Sequence, residues 1–162
     1  MHREGHHGAA LVAYAPLGVA SVSLGAETVA LGGAVAAAGL AMVPDYDQRV
    51  PGLAHRGPTH TVWFALAVGL VTGTVGGWIG SSYDPAATVG LGVFGFLVGT
   101  GTVLSHIAAD ALTPMGVRPF APVDSRHVSL DLVRAANPVA NYALLGLGVA
   151  VAAGGYVAAT SV

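Results

Sequence analysis

The segment GPTHTVWFALAVGLVTGTVGGWIGSSY, residues 57–83, contains no Asp, Glu, Lys or Arg. Asp84 ends it, and a second stretch without these residues runs on to Asp110. An ionised side chain costs roughly 2.5 kcal/mol or more at the centre of a bilayer, so long gaps between charges mark membrane spans. Both stretches exceed the about 20 helical residues that cross the hydrocarbon core. They therefore predict two consecutive membrane-spanning helices.

The same pattern of charge gaps continues on both sides of these two helices. Three further gaps lie between Glu4 and Glu27, between Glu27 and Asp45, and after Arg134. The second of them is short, with an apolar centre of only Val29 to Val43, so its helix is expected to be little tilted or partly inserted. The sequence predicts an all-α protein: a polytopic bundle of about five transmembrane helices that forms a single integral membrane domain over residues 1–162.

The composition supports this class of protein and excludes others. Hydrophobic residues make up 54% of the chain and charged residues only 9%, against about 25% in soluble domains. The formal net charge of -2 and the lack of a basic tract exclude a nucleic-acid partner and leave the lipid bilayer as the expected one. Because cysteine is absent, a metal ion would need histidine and carboxylate ligands. Glycine-rich helices permit a dimer without requiring one, so the oligomeric state stays open.

Alternating helices would gather the polar residues on one face of the membrane. The N-terminus and the two long loops, residues 45–59 and 111–137, would share that face. All six arginines would lie there: Arg3, Arg49, Arg56, Arg118, Arg126 and Arg134. By the positive-inside rule this face is cytoplasmic, so we expect an inner-membrane protein whose N-terminus and functional site face the cytoplasm. The same face would receive every histidine and every Asp except Asp84.

Imidazoles and carboxylates gathered at a membrane boundary indicate a metal site. Together these ligands suit zinc, manganese or iron(II), and a cation placed there suits metal-assisted hydrolysis. His106 and Asp110 are four residues apart, so on a helix they project within about 40° of each other. They either share one cation or form a hydrogen bond that joins helices. Asp45 and Asp47 would point to opposite sides of an extended loop, whereas a turn would bring them together; a solvated turn is the alternative.

The segment from His55 to His60 carries two further candidate ligands across a Gly-Pro break. A bend there can bring both rings together, although the spacing is not that of a His-Glu-x-x-His zinc helix. Thr59 is the predicted N-cap of the third helix, with His60 in its first turn. Arg56 and Arg118 are the arginines best placed to neutralise a phosphate, or they only set the topology.

These motifs occur together in an order that resembles the YdjM-type inner-membrane metal-dependent hydrolases. The blocks are Glu-Gly-His near the N-terminus, Val-Pro-Asp-Tyr-Asp, His-Arg-Gly-Pro-Thr-His-Thr and Ser-His-Ile-Ala-Ala-Asp-Ala-Leu-Thr-Pro-Met-Gly-Val, between Glu4 and Pro122. The resemblance implies a polytopic membrane hydrolase. The metal ligands that it implies are His6, Asp45, Asp47, His55, His60, His106 and Asp110. It also implies that Arg56, Thr113 and Gly116 shape the site.

Two functional hypotheses follow. In the first, the protein is a membrane-embedded metal-dependent hydrolase that holds Zn²⁺, or Mn²⁺ as second choice, and cleaves an ester or phosphoester of a lipid or lipid-linked substrate through a metal-activated water. Asp45 or Asp47 would be the general base, and Arg56 and Arg118 would bind the substrate. In the second, the same cluster is a structural metal or ion site of a non-enzymatic scaffold or small transporter. Transport favours ionisable groups near the bilayer midplane, where only His106 and Asp110 are candidates.

Overall fold

Helices account for most of the chain. The computed structural model describes residues 1–161, which contain five α-helices: α1 (Arg3–Ser23), α2 (Glu27–Leu40), α3 (Val62–Gly80), α4 (Pro85–Ala111) and α5 (Pro138–Thr160). Two 3-10 helices, Pro44–Arg49 and Pro58–His60, lie between α2 and α3. No strand occurs within residues 1–161, where an isolated bridge joins Val117 and Val128. The all-α prediction is therefore confirmed.

Four segments in the described part of the chain are long and apolar enough to cross a membrane. They are Glu27–Arg49, Val62–Gly80, Pro85–Ala111 and Pro138–Thr160. α1 has a similar length, 21 residues, but it is less apolar because charged and imidazole side chains occupy its first turns. The prediction of about five spanning helices is thus close. α2 has only 14 residues, as its short charge gap indicates, and the apolar segment continues beyond it.

α3 and α4 form a tight antiparallel pair because glycines line their contact. A Cβ on Gly76 would lie 2.1 Å from the carbonyl oxygen of Leu91, and one on Gly95 would lie 2.4 Å from that of Thr72. The Thr72 hydroxyl donates a hydrogen bond across the pair to the Gly95 carbonyl oxygen at 2.7 Å. Small residues at such interfaces let backbones approach, which van der Waals packing in lipid requires.

The close packing of α3 on α4 predicts that a larger side chain at this contact lowers the stability of the protein. Gly76→Leu should lower the thermal stability of the detergent-solubilised protein, since the new side chain meets backbone that cannot move aside; overpacking costs about 1–3 kcal/mol or more. Gly90→Leu is the matched control, because a Cβ at Gly90 meets no heavy atom within 4 Å. Equal melting temperatures for the two variants would contradict the close packing of α3 on α4.

α1 packs on α5 in the same manner and also contacts α2 and α4. A Cβ on Gly148 of α5 would lie 2.4 Å from the carbonyl oxygen of Gly8. Farther along α1, the buried Tyr14 ring packs edge-on against Phe94 of α4, and its hydroxyl donates to the Ala30 carbonyl oxygen of α2. α1 therefore joins the α3–α4 pair to the rest of the bundle, together with a smaller contact of α2 with α4.

The start of α3 differs from the sequence prediction by two residues. Thr61, not Thr59, is the N-cap, and its hydroxyl accepts a hydrogen bond from Phe64 N at 3.3 Å. His60 ends the preceding 3-10 helix instead of entering the first turn of α3. The prediction for Thr59 was wrong because its hydroxyl has another partner, the Asp47 carboxylate at 2.9 Å.

The long loop after α4 folds back onto this end of the bundle. Its Pro119 carbonyl oxygen accepts a hydrogen bond from Val62 N at 2.8 Å, and Leu130 N donates to the Ala111 carbonyl oxygen at 2.8 Å. The start of α3 and the end of α4 are thereby joined through the loop as well as through their own packing. The elements at this end carry the polar residues described next.

Candidate metal centre

Five side chains from distant parts of the sequence converge at this end of the bundle. His6 lies at the start of α1, and Asp45 lies in the 3-10 helix after α2. His60 directly precedes the N-cap of α3, and His106 and Asp110 lie at the end of α4. All are fully buried except Asp45, whose side chain is 12% exposed. We refer to these five residues as the His/Asp cluster.

Four members of the cluster can offer one ligand atom each to a single cation. The ligand atoms of Asp45, His60, His106 and Asp110 all lie within 4.8 Å of one another. His60 Nε2 is 3.5 Å from Asp45 Oδ1 and 3.4 Å from Asp110 Oδ2. His106 Nε2 is 3.5 Å from Asp45 Oδ1 and 3.2 Å from His60 Nε2. Two imidazoles and two carboxylates form a donor set that suits a divalent transition metal.

His6 lies against this set of four. Its ring stacks on that of His106 with centroids 3.6 Å apart and planes 7° from parallel. Its Nε2 atom is 3.5 Å from Asp110 Oδ1 and 3.9 Å from Asp45 Oδ2. His6 is therefore a fifth group that faces the same two carboxylates.

The two histidines of the set are held with Nε2 toward the carboxylates. His106 Nδ1 lies 2.7 Å from the carbonyl oxygen of Ala41. A carbonyl only accepts hydrogen bonds, so Nδ1 carries the proton and the neutral ring presents the Nε2 lone pair to the cluster. His60 Nδ1 lies 3.0 Å from Thr59 Oγ1, whose own hydrogen goes to Asp47, so Nδ1 again donates. Such outer partners commonly orient metal-binding histidines.

Several buried polar atoms of the cluster have no hydrogen-bond partner among the described residues. They are both ring nitrogens of His6 and Oδ2 of Asp110. A buried polar group without a partner is costly, and the great majority in native proteins are satisfied. A cation between His6 Nε2 and the carboxylates would satisfy Nε2 and Asp110 Oδ2, so the residues present fit a metal ion.

Charge also favours the protonated state of His60 when no cation compensates the carboxylates. Burial by itself would lower the pKa of His60, but the close carboxylates of Asp110 and Asp45 outweigh burial and raise the pKa above its usual value. A divalent cation would compete with this proton, because an imidazole must be deprotonated to bind a metal.

Asp47 and His55 form a second group beside the cluster. Together with His60 they form a second set of three residues whose ligand atoms all lie within 4.8 Å of one another. Asp47 is buried, and its carboxylate accepts from His55 Nδ1 at 3.0 Å, Arg56 N at 3.0 Å and Thr59 Oγ1 at 2.9 Å. His55, in contrast, is 36% exposed. The Asp47 carboxylate thus ties the loop before α3 together directly behind His60.

Arg56 makes hydrogen bonds through both its backbone N–H and its guanidinium. Its guanidinium donates to Asp110 Oδ1 at 2.8 Å, to Thr113 Oγ1 at 2.9 Å and to the Gly116 carbonyl oxygen at 3.1 Å. Its backbone has a φ of 58°, a left-handed conformation that is uncommon outside glycine and costs about 1–2 kcal/mol. This conformation lets one residue reach Asp47 with its backbone N–H and Asp110 with its side chain.

The structure brings all seven sequence-predicted ligands to one end of the bundle, in two adjacent groups. The predicted substrate arginines separate: Arg56 is 8% exposed and bound to Asp110, whereas Arg118 is exposed. Sequence reasoning missed the Thr59 hydroxyl and the Ala41 carbonyl that orient the histidines. A threonine directly before a candidate ligand was the available signal for Thr59; a backbone carbonyl such as that of Ala41 leaves no signal in the sequence.

These observations define a polytopic helical membrane protein with a candidate metal centre at one end of its bundle. The chain belongs to the YdjM inner membrane protein family, whose model matches residues 1–162. No curated protein and no solved structure matches the chain at a significant level. The four apolar segments fit insertion of an inner membrane protein, and the resemblance to the YdjM family found in the sequence motifs is confirmed over residues 1–162.

Proposed function

We propose that this protein is a membrane-embedded metal-dependent hydrolase that cleaves an ester or phosphoester of a lipid or lipid-linked substrate. The observation that carries the proposal is the buried His/Asp cluster, in which the ring nitrogens of His6 and Oδ2 of Asp110 lack protein partners. Buried ionisable residues are expensive in a membrane protein and mark functional sites by default. Their position at helix ends favours a site at the membrane boundary over an ion path through the midplane.

Asp45, His60, His106 and Asp110 would hold a divalent cation, with His6 beside them. Zn²⁺ is our first choice for this nitrogen and oxygen donor set, and Mn²⁺ is the second. When bound, such a cation supplies Lewis acidity, which makes both water and an ester or phosphoester more reactive. The side chains would perform the remaining steps, which are proton transfer and substrate binding.

We assign proton transfer to Oδ2 of Asp45, because Asp45 is the partly exposed carboxylate of the cluster and its other oxygen, Oδ1, is the one that faces His60 and His106. Asp47 is fully occupied by three donors, and we assign it the role of positioning His60 and His55. Arg118 would meet the substrate, while Arg56 would hold Asp110 in place. The arginine distribution further supports a cytoplasmic orientation of the site and the N-terminus.

The test is a hydrolysis assay of the purified protein against phospholipids and water-soluble phosphoesters and esters. We expect activity that disappears after chelation and returns with Zn²⁺ or Mn²⁺, and that falls at least about 100-fold in Asp45→Asn, since general base catalysis contributes roughly 10²–10⁴-fold. Arg49→Ala, one 3-10 turn away, is the control and should retain activity. A metal-loaded protein that hydrolyses none of these substrates, but carries metal ions into liposomes, would contradict the proposal.

A further inference from the structure

A large cavity opens beside the His/Asp cluster, between the start of α3 and the loop that follows α4. Its volume is about 820 Å³, within the range of about 300–1,000 Å³ typical of ligand pockets. His55 and Arg56 form part of its wall, and Arg56 binds Asp110 of the cluster on its other side. A molecule bound in this cavity would therefore contact Arg56, the residue that lies between the cavity and Asp110 of the candidate metal centre.

The cavity combines apolar walls with positive charge. Trp63, Phe64, Met115 and Val117 line it, together with Arg56 and Arg118. No acidic side chain occurs in its lining as described within residues 1–161. A second cavity on the other side of the cluster has a different character, because Glu4 and Asp45 line it alongside Arg3 and Arg49. The cavity next to Arg118 is thus the one suited to a ligand that is both anionic and apolar.

Exposed apolar side chains occur at this cavity, on the first turn of α3 and on the loop that follows α4. Met115 and Trp63 in its lining are 63% and 48% exposed, and Val123, next to the lining residue Pro122, is 81% exposed. Exposed apolar groups at the end of a membrane span are suited to the interfacial region of the bilayer, where tryptophan is enriched. The cavity therefore opens toward lipid, which favours an occupant from the bilayer over a water-soluble phosphoester.

We propose that this cavity binds an anionic phospholipid as the substrate, with its acyl portion against Trp63 and Met115 and its phosphate at Arg118. The inference rests on the proposed function, because it takes the adjacent His/Asp cluster as the site of hydrolysis. Arg118 supplies the charge-assisted hydrogen bonds to the phosphate. The guanidinium of Arg56 is already bound by Asp110, Thr113 and Gly116, so Arg56 acts as a positioning residue.

The experiment measures lipid binding to the metal-loaded full-length protein in a neutral detergent. Dioleoyl phosphatidylglycerol and dioleoyl phosphatidylcholine, which share acyl chains, are titrated and the bound lipid is measured by native mass spectrometry. We expect phosphatidylglycerol to bind about tenfold more tightly, because the choline cation of phosphatidylcholine offsets its phosphate charge at Arg118. Arg118→Ala should abolish this preference. Arg49→Ala removes another exposed arginine, one that lines the second cavity, and should leave the preference intact.

A second variant and a soluble competitor test the apolar part of the proposal. Met115→Ala should weaken the binding of both lipids several-fold, since it removes apolar contact area that neither headgroup replaces. Glycerol 3-phosphate should compete poorly. Equal binding of the two lipids, an unchanged preference in Arg118→Ala, or competition by glycerol 3-phosphate as effective as that of the lipid would overturn the inference.

Failure of this inference and failure of the proposed function give different results. Binding is measured without turnover, so a protein that prefers phosphatidylglycerol but holds no metal would contradict the hydrolase proposal alone. A protein that holds metal and hydrolyses a soluble ester, but shows no preference between the lipids, would contradict the lipid site alone.

Discussion

Replacing His60 and His106 together by alanine should abolish the stoichiometric binding of a divalent cation that we propose for the wild-type protein. These two residues contribute both imidazole nitrogens of the four-ligand set, and their Nε2 atoms lie 3.2 Å apart. The two carboxylates and His6 that remain offer one nitrogen ligand at most, and such a site binds zinc more weakly than the complete set of nitrogen and oxygen ligands. The measurement is elemental analysis of protein purified in detergent without chelators.

The matched control for this double variant is His7→Ala with His127→Ala. Both histidines lie at the same end of the bundle, but their ring nitrogens contact backbone carbonyl oxygens, of Arg3 and Met115 respectively. The control should keep its metal. Full metal content in the His60 and His106 variant, or an equal loss of metal in both double variants, would contradict the assignment of the cluster as a metal centre.

Arg56→Ala should make the stability of the protein depend strongly on metal. The Asp110 carboxylate would lose its guanidinium partner while remaining buried and in contact with the Met1 amino group. Leaving a buried charge poorly compensated costs about 2–3 kcal/mol. A cation bound to Asp110 would restore compensation, and ligand binding to the folded state adds stability by mass action.

Thermal unfolding in detergent, with chelator and with added Zn²⁺, measures this effect. We expect a large drop in melting temperature for Arg56→Ala in chelator and a larger Zn²⁺-induced rise than for the wild type. Arg56→Gly should unfold at a higher temperature than Arg56→Ala, because glycine adopts the left-handed φ of 58° without strain. A melting temperature for Arg56→Ala that equals that of the Arg49→Ala control under both conditions would show that the guanidinium does not hold Asp110.

The sequence was a good guide to the helices because membrane insertion leaves a strong pattern. Charges cannot lie deep in lipid, so the gap from Arg56 to Asp84 and the gap from Asp84 to Asp110 match α3 and α4 closely. The start of α3 was missed by two residues. Thr59 and Thr61 are equally good caps by residue type, and only the contact of Thr59 with Asp47 decides between them.

The composition of the site was predictable, but the roles within it were not. Topology alone placed the histidines and aspartates on one face, and the i, i+4 spacing of His106 and Asp110 predicted that they would face the same point. Nothing in the sequence indicated that Asp47 would bind three donors of its own loop. Nor did it indicate that Arg56 would bind Asp110, which lies 54 positions later in the chain. This contact depends on a left-handed backbone conformation at Arg56 that is uncommon for residues other than glycine.

The order in which the ligands appear along the chain has a consequence for biosynthesis. His6 leaves the ribosome before α2, α3 and α4 exist, whereas His106 and Asp110 lie in the last turns of α4. The candidate centre therefore becomes complete only after the fourth helix has been inserted and has paired with α3 through their glycines. A metal ion would be acquired by a nearly finished protein at the membrane surface, and its uptake would report that the helices have assembled correctly.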